Sequence, residues 1–345
     1  MIHKFTFLEN ILLRADVIPH PIIDSLTYVI AGRVLQVSIK LGIFETLKKE
    51  NLALNQVAKK VGISEEGAKV LLECLEALGY LEQINEKFGI TKRGKRFLLD
   101  ESPSRMKNII LFTDYVFDAL NDLEQTVKAG GPKDVNLDVF TKDQWEVFNN
   151  AMEEIGKSNM KQVIGMIPFP KDAKKLLDIG GSHGLHSIEA CNRLPGLSAT
   201  ILDLKSVEKL ANDVIKRYKM NNKVNYKVGS FFNKNDIGTG YDVVFAFNVI
   251  HGLNLDKNKK LTEDIYNSLN KGGVYVVMDQ IKEARGSSQL SKLVATTMGV
   301  MLFNQAGGRT YSYNEVHKWM VESGFKSTKM KKMRDPGSAL IIGFK

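Results

Sequence analysis

The segment Leu176-Leu177-Asp178-Ile179-Gly180-Gly181-Ser182-His183-Gly184 constrains this chain more than any other. An apolar run of strand character enters a turn with three glycines, and a helix follows. Glycine permits positive φ and close approach of a ligand to the backbone, and a helix N-terminus presents free N–H groups. Strands then alternate with helical stretches: Ala199-Thr200-Ile201-Leu202 ending at Asp203, Val224 to Val228, Val243 to Phe247, Val274 to Met278, and a closing pair around Asp335-Pro336-Gly337. From about Lys174 onward this pattern predicts a doubly wound α/β sheet.

The turn admits three readings. A dinucleotide fingerprint fails on spacing, because G-x-G-x-x-G would need glycines at Ser182 and Leu185. A nucleophile elbow, G-x-S-x-G, matches Gly180 to Gly184, and an acid (Asp279) and a histidine (His317) follow in hydrolase order. Against it, an elbow normally follows several strands, and the upstream 170 or so residues read as mostly helical. The third reading is a loop for S-adenosylmethionine. A nucleoside without a pyrophosphate needs a glycine turn and an acid ending the second strand for the ribose hydroxyls, and Asp203 stands there. Ligands of such sheets sit beyond the carboxyl ends of the strands, which puts both elements in one crevice.

His251 follows the fourth strand and faces the same crevice. Its ordinary pKa near 6.5 suits a general base for a phenol or other acidic hydroxyl, although a histidine there can also simply cap or pack. His183 and His186 are one helical turn apart, with no third ligand evident, so no metal is expected.

The first hundred residues read as helices closed by a small hairpin. Leu54, Val57, Ala58 and Val61 repeat at helical spacing up to Gly62. Ser64 caps a helix over Glu65 to Leu78, which Gly79 ends. Two strands, Tyr80 to Ile84 and Phe88 to Thr91, flank Asn85-Glu86-Lys87, so the module is a winged helix. Lys87, Lys92, Arg93, Lys95 and Arg96 suggest DNA binding. The helix that would enter the groove opposes it, carrying Glu65, Glu66, Glu73 and Glu76 against Lys69 alone. A packing or dimerisation platform is the better reading. Residues 105–170 read as helical, with a break at Gly130-Gly131-Pro132 and many large apolar side chains, among them Phe112, Trp145, Phe148, Met152 and Met160.

At 345 residues the chain is long enough for about two domains. Its 43% apolar and 25% charged composition excludes a disordered tail, a collagen-like fibre and a disulfide-framed miniprotein. Cys74 and Cys191 lie in unrelated contexts and make neither a zinc knuckle nor a disulfide framework. Glu9, Arg14 and Asp16 interrupt the apolar runs a signal peptide would need, and no stretch approaches 18 uninterrupted apolar residues. A cytoplasmic protein is expected, with no membrane partner. The net charge of +9 permits acidic partners, but scattered lysines are ordinarily a solvated face.

In this order, five segments resemble the small-molecule O-methyltransferases with an N-terminal winged-helix dimerisation domain, a family of plant phenolic, acetylserotonin and bacterial tailoring enzymes. They are Leu41-Gly42-Ile43-Phe44 with the winged helix, Phe148-Asn149-Asn150-Ala151-Met152, Leu177 to Gly181, Ile201-Leu202-Asp203-Leu204, and Gly272-Gly273 before a strand. The resemblance spans about Tyr28 to Lys345. It implies a class I methyltransferase sheet, S-adenosylmethionine as cofactor, a homodimer, a small flat acceptor, and neither metal nor nucleic acid. By domain it implies a dimerisation domain over 1–104, a helical linker lining the substrate pocket over 105–172, and a cofactor-binding domain over 173–345. Residue by residue it implies Gly180, Gly181 and Gly184 in the cofactor loop, Asp203 at the ribose, Ser230 and Phe231 at the adenine, and Met160 against the cofactor. Phe148, Asn149, Met152, Met298, Met301 and Phe303 would line the acceptor pocket. His251 falls on the catalytic base and Asp279 on the acid that orients it. Five positions depart from the family pattern. Ser182 replaces a glycine, Ser230 the adenine acid, Gly252-Leu253 an Asp-Trp pair, and Thr310 a second acid beside the base. These departures keep related chemistry in view, such as C-methylation, decarboxylation or a pericyclic reaction.

Overall fold

The computed structural model describes residues 7–15, 17, 19–133, 141–282 and 288–345; Asp16 lies outside them. The chain divides into two compact units, Met1–Asp114 and Tyr115–Lys345.

In the first unit, helices α1 (Phe7–Arg14), α2 (His20–Ile22) and α3 (Tyr28–Lys40) precede a tight turn at Gly42, whose φ of 75° only glycine adopts without strain. Next come α4 (Ile43–Thr46), β1 (Leu52–Ala53), α5 (Leu54–Val61) and α6 (Glu65–Ala77). Strands β2 (Leu81–Ile84) and β3 (Lys87–Ile90), then α7 (Lys92–Leu98) and the start of α8 (Lys107–Leu120), whose residues from Tyr115 on belong to the second unit, complete the series. The expected caps are present: the Ser64 side chain accepts from the Gly67 amide, and Gly62 adopts the left-handed conformation that ends α5. The wing has three strands where the sequence shows two. Leu52 and Ala53 add to the outer edge of β3, opposite Phe88 and Lys87, in a sheet ordered β1-β3-β2. A two-residue strand carries no periodicity, so only its pairing reveals it. Ile43, Phe44, Leu72, Leu75, Leu81 and Leu98 fill this unit's core.

The second unit opens with α9 (Leu123–Ala129) and the 25-residue α10 (Lys142–Met166), whose N-terminus Thr141 and Gln144 close as a reciprocal capping box. Then β4 (Lys175–Ile179), α11 (Leu185–Arg193), β5 (Ser198–Asp203), α12 (Glu208–Arg217), β6 (Val224–Val228), α13 (Lys234–Ile237) and β7 (Tyr241–Phe247) alternate. After these come α14 (Leu255–Ser268), β8 (Leu269–Gln280), α15 (Gln289–Ala306), α16 (Tyr313–Glu322), β9 (Ser327–Lys332) and β10 (Ser338–Phe344). The seven-stranded sheet has the order β6-β5-β4-β7-β8-β10-β9. Strands β4 to β8 pair in parallel, and β10 inserts antiparallel between β8 and β9. The order reverses direction at β4, between β5 and β7, so the loops after β4, β5 and β7 meet at the topological switch point. Each face of the sheet has its own core. One is built around Leu176, Ile201 and Phe245, the other around Leu177, Val244 and Tyr275. Burial on both faces explains why Val243–Phe247 of β7 and Val274–Met278 of β8 read as unbroken apolar runs.

Candidate active site

Three strand ends assemble the crevice. Beyond β4, Gly180 and Gly184 take φ of 64° and 72°, and neither position has room for a side chain. A Cβ on Gly180 would lie 2.9 Å from Val249 Cγ2, one on Gly184 2.4 Å from Ile201 Cδ1, and one on Gly181 2.5 Å from the Asp178 carboxyl carbon. Ser182, the residue that departs from glycine, also holds a positive φ of 46°, a conformation that strains an L residue. Its hydroxyl is buried without a hydrogen-bond partner, as is Asp178 Oδ1. Buried polar atoms are normally paired, so these two orphans beside the glycine cradle leave hydrogen-bonding capacity that a polar ligand could use.

Asp203 closes the cradle from β5. Its Oδ2 accepts the Ser182 amide at 2.9 Å and its Oδ1 the Leu204 amide at 2.7 Å. Each oxygen keeps a lone pair, so the carboxylate can accept a diol. Burial raises its pKa, and the two amide bonds oppose that shift. Asp178 is pushed up to about 7 by burial, with the Ser187 hydroxyl bond at 2.7 Å lowering it and nearby Asp203 raising it. Phe231 reaches the glycine loop, its Cε1 3.9 Å from where a Cβ on Gly180 would sit. Ser230 offers no carboxylate, yet an acid does approach this loop. Asp236, from α13, accepts the Ser230 amide at 2.9 Å, a placement the sequence reading missed. Its only advance signal is a carboxylate in the first turn of a short helix. The donors and acceptors present fit an adenosyl cofactor.

His251 sits on a 3-10 turn after β7, with its side chain 18% exposed. Its Nδ1 lies 2.6 Å from Asp279 Oδ1, on β8, and its amide donates to Asp279 Oδ2 at 3.3 Å. Asp279 accepts there, so in the neutral imidazole the proton sits on Nδ1 and the Nε2 lone pair is left free. The hydrolase arrangement is not formed. Asp279 is committed to His251, and His317, on α16, bonds Thr328 Oγ1 of β9 at 2.8 Å.

The remaining expected residues fall into two sets. Phe148, Asn149, Met152 and Met160 lie on α10, which packs against α11; Met298, Met301 and Phe303 lie on α15, which packs against the turn of His251. Asn149 is buried and its Oδ1 has no partner, as is true of Thr310 Oγ1. Met160 packs onto the sheet core. His183, within the glycine turn, and His186, on α11, join α10 to the glycine loop. His183 Nδ1 accepts the Leu185 amide at 3.1 Å and its other nitrogen bonds the Met152 carbonyl; His186 Nε2 meets Asn159 Oδ1 at 3.0 Å. Burial lowers their pKa values to about 4 and about 3, so both are neutral. Among the described residues no cluster suited to a metal ion occurs.

The model of the O-methyltransferase domain matches residues 114–326, and that of the O-methyltransferase dimerisation domain matches residues 23–100. The chain belongs to the S-adenosylmethionine-dependent O-methyltransferases. Among curated relatives, the 3-hydroxy-5-methyl-1-naphthoate 3-O-methyltransferase of Streptomyces sahachiroi is 22% identical over 330 residues, 94% of each chain. The L-tyrosine C(3)-methyltransferase of Streptomyces lavendulae is 20% identical over 334 residues, 91% of this chain and 90% of that one. In fold, human N-acetylserotonin methyltransferase in complex with S-adenosylmethionine superposes with a TM-score of 0.82 at 20% identity, covering 100% of this chain and 99% of that one.

Proposed function

We propose that this methyltransferase acts on a hydroxyl of a small, flat, largely apolar acceptor, with His251 as general base, and that it works as a homodimer. The observation that carries this reading is the His251–Asp279 pair held at the carboxyl end of the sheet beside the Asp203 cradle. When bound, S-adenosylmethionine supplies a methyl group activated by its sulfonium. Asp203 would hold the ribose diol, the backbone of Gly180 to Gly184 would pass under the amino-acid portion, and Phe231 would cover the adenine. His251 Nε2 would take the acceptor's hydroxyl proton while Asp279 stabilises the imidazolium through Nδ1. The thioether leaves without protonation, so most of the acceleration comes from alignment of oxygen, methyl carbon and sulfur.

The relatives that act on a hydroxynaphthoate and on N-acetylserotonin, by their names, suggest fused aromatic acceptors. The half-buried methionines Met152, Met298 and Met301 suit such rings, because thioether side chains adapt to varied apolar shapes.

Calorimetric titration with S-adenosylhomocysteine tests the cofactor site. Wild type should bind, and Asp203→Ala should bind at least tenfold more weakly; binding by neither would sink the reading. Transfer of labelled methyl to a panel of hydroxynaphthoates then tests the base. General bases contribute roughly 10²- to 10⁴-fold, so His251→Ala should lose activity on that scale. Undiminished turnover in the variant would remove His251 from the mechanism.

A further inference from the structure

The residues that follow the base, Gly252 and Leu253, bring no polar side chain to hold it. The turn itself closes with two bonds of 3-10 type, Gly252 amide to Val249 carbonyl at 3.1 Å and Leu253 amide to Ile250 carbonyl at 3.2 Å. Such short turns have poorer hydrogen-bond geometry than an α-helix. The Ile250 and Leu253 residues are buried, and two side chains from elsewhere converge on their carbonyls. Asn258, in the first turns of α14 and 1% exposed, donates Nδ2–H to Ile250 O at 2.9 Å and to Leu253 O at 3.1 Å. Tyr311, equally buried, donates its hydroxyl to Leu253 O at 2.6 Å.

Both gripping residues are themselves fixed. Asn258 lies one turn beyond Asn254, the residue that caps α14, and its own carbonyl accepts the Thr262 hydroxyl at 2.7 Å. Tyr311 bridges to Ile281, two residues past Asp279, and packs edge-on against Trp319 with ring centres 4.7 Å apart. The same segment presses on the turn from behind, since a Cβ on Gly308 would fall 1.9 Å from the His251 carbonyl oxygen. Asp279 orients the imidazole ring; the backbone beneath the ring is set by Asn258, Tyr311 and the close approach at Gly308.

We propose that Asn258 and Tyr311 are positioning residues for His251, holding its turn so that Nε2 meets the acceptor hydroxyl. This rests on the reading of His251 as base. Misplacing a reacting group by about 1 Å can cost on the order of 10²-fold, and three bonds to two flanking carbonyls are a direct guard against such a shift.

The test reads the imidazole itself. In protein labelled with 15N-histidine, and with the resonance assigned by its absence in His251→Gln, the Nδ1–H proton facing Asp279 should give one sharp downfield line. Tyr311→Phe and Asn258→Ala should each broaden or split that line. Both variants should keep their affinity for S-adenosylhomocysteine within twofold, and turnover of an accepted hydroxynaphthoate should fall ten- to a hundredfold in kcat with little change in KM for the cofactor. An unchanged line in both variants overturns the proposal. If Asn258→Ala does not fold, Tyr311→Phe, which removes one hydroxyl, decides alone. Failure of wild type to bind S-adenosylhomocysteine would overturn the methyl-transfer reading instead, and the line-shape comparison would still stand.

Discussion

His183 and His186 are the residues whose protonation most directly couples this site to stability. Both are buried, and their folded pKa values of about 4 and about 3 lie below the ordinary 6.5. The unfolded chain therefore binds more protons between those values, and stability present above about pH 6.5 is lost as pH falls toward 4. Asp178 works the other way: its folded value of about 7 lies above the ordinary 3.8, so its contribution grows over the same descent. The variant comparison separates the two. Calorimetric unfolding at pH 7, 6, 5 and 4 should show a shallower decline in Tm for His186→Gln than for wild type; parallel declines would mean His186 is not buried neutral. Single residues were legible in the sequence where they end a strand, which is how Asp203 and His251 stand out. Asp236, Asn258 and Tyr311 were not, because their partners are backbone groups brought close only by the finished fold. The departures at Ser230 and Gly252-Leu253 likewise read as losses in the sequence. In the structure an acid reaches the first loop, and two donors grip the turn that holds the second pair.

At the scale of elements, the contact between α10 and the glycine loop joins the residues proposed for the acceptor to those proposed for the cofactor. Gly156 makes that contact possible: a Cβ there would sit 2.6 Å from His183 Cε1 and 3.3 Å from Leu185 Cδ1. Gly156→Val should therefore overpack the joint at a cost of about 1–3 kcal/mol. Because His183 also accepts the amide of Leu185, at the start of α11, the strain should reach the cofactor cradle. A lowered Tm together with weaker S-adenosylhomocysteine binding is the expected pair of results. A lowered Tm with unchanged binding would show that the joint is structural only. Alternation of strand and helix made the parallel sheet legible, and the caps at Ser64 and Gly62 were readable as local chemistry. The two-residue β1 escaped because its existence depends on pairing with β3, and pairing leaves no trace in a window of two residues.

At the scale of the whole molecule, the two units answer different physical demands. The second buries a sheet on both faces, and its outer strand β9 carries Lys329, Lys331 and Lys332, charges that discourage edge-to-edge pairing. The first leaves apolar side chains in solvent. Ile22, Leu26, Val29, Ile30 and Val37 are all exposed, Ile30 to 50% and Leu26 to 56%. Singly exposed apolar residues are ordinary, but a run of them along one helical stretch marks an interaction surface. By length and composition His20–Lys40 would also pass as a membrane span, so two occupants compete for this face. Asp24 and Arg33, the latter paired with Asp114, argue for a protein partner, since their charges would lie within the span. The match of residues 23–100 to a dimerisation domain points the same way. Light scattering of the full chain without detergent should give twice the chain mass. Ile30→Glu combined with Val37→Glu should give a monomer of one chain mass that still binds S-adenosylhomocysteine, because the cradle is built wholly from the second unit. Recovery of the wild type in the membrane fraction, or a wild-type monomer in solution, would assign the face to something other than a second copy.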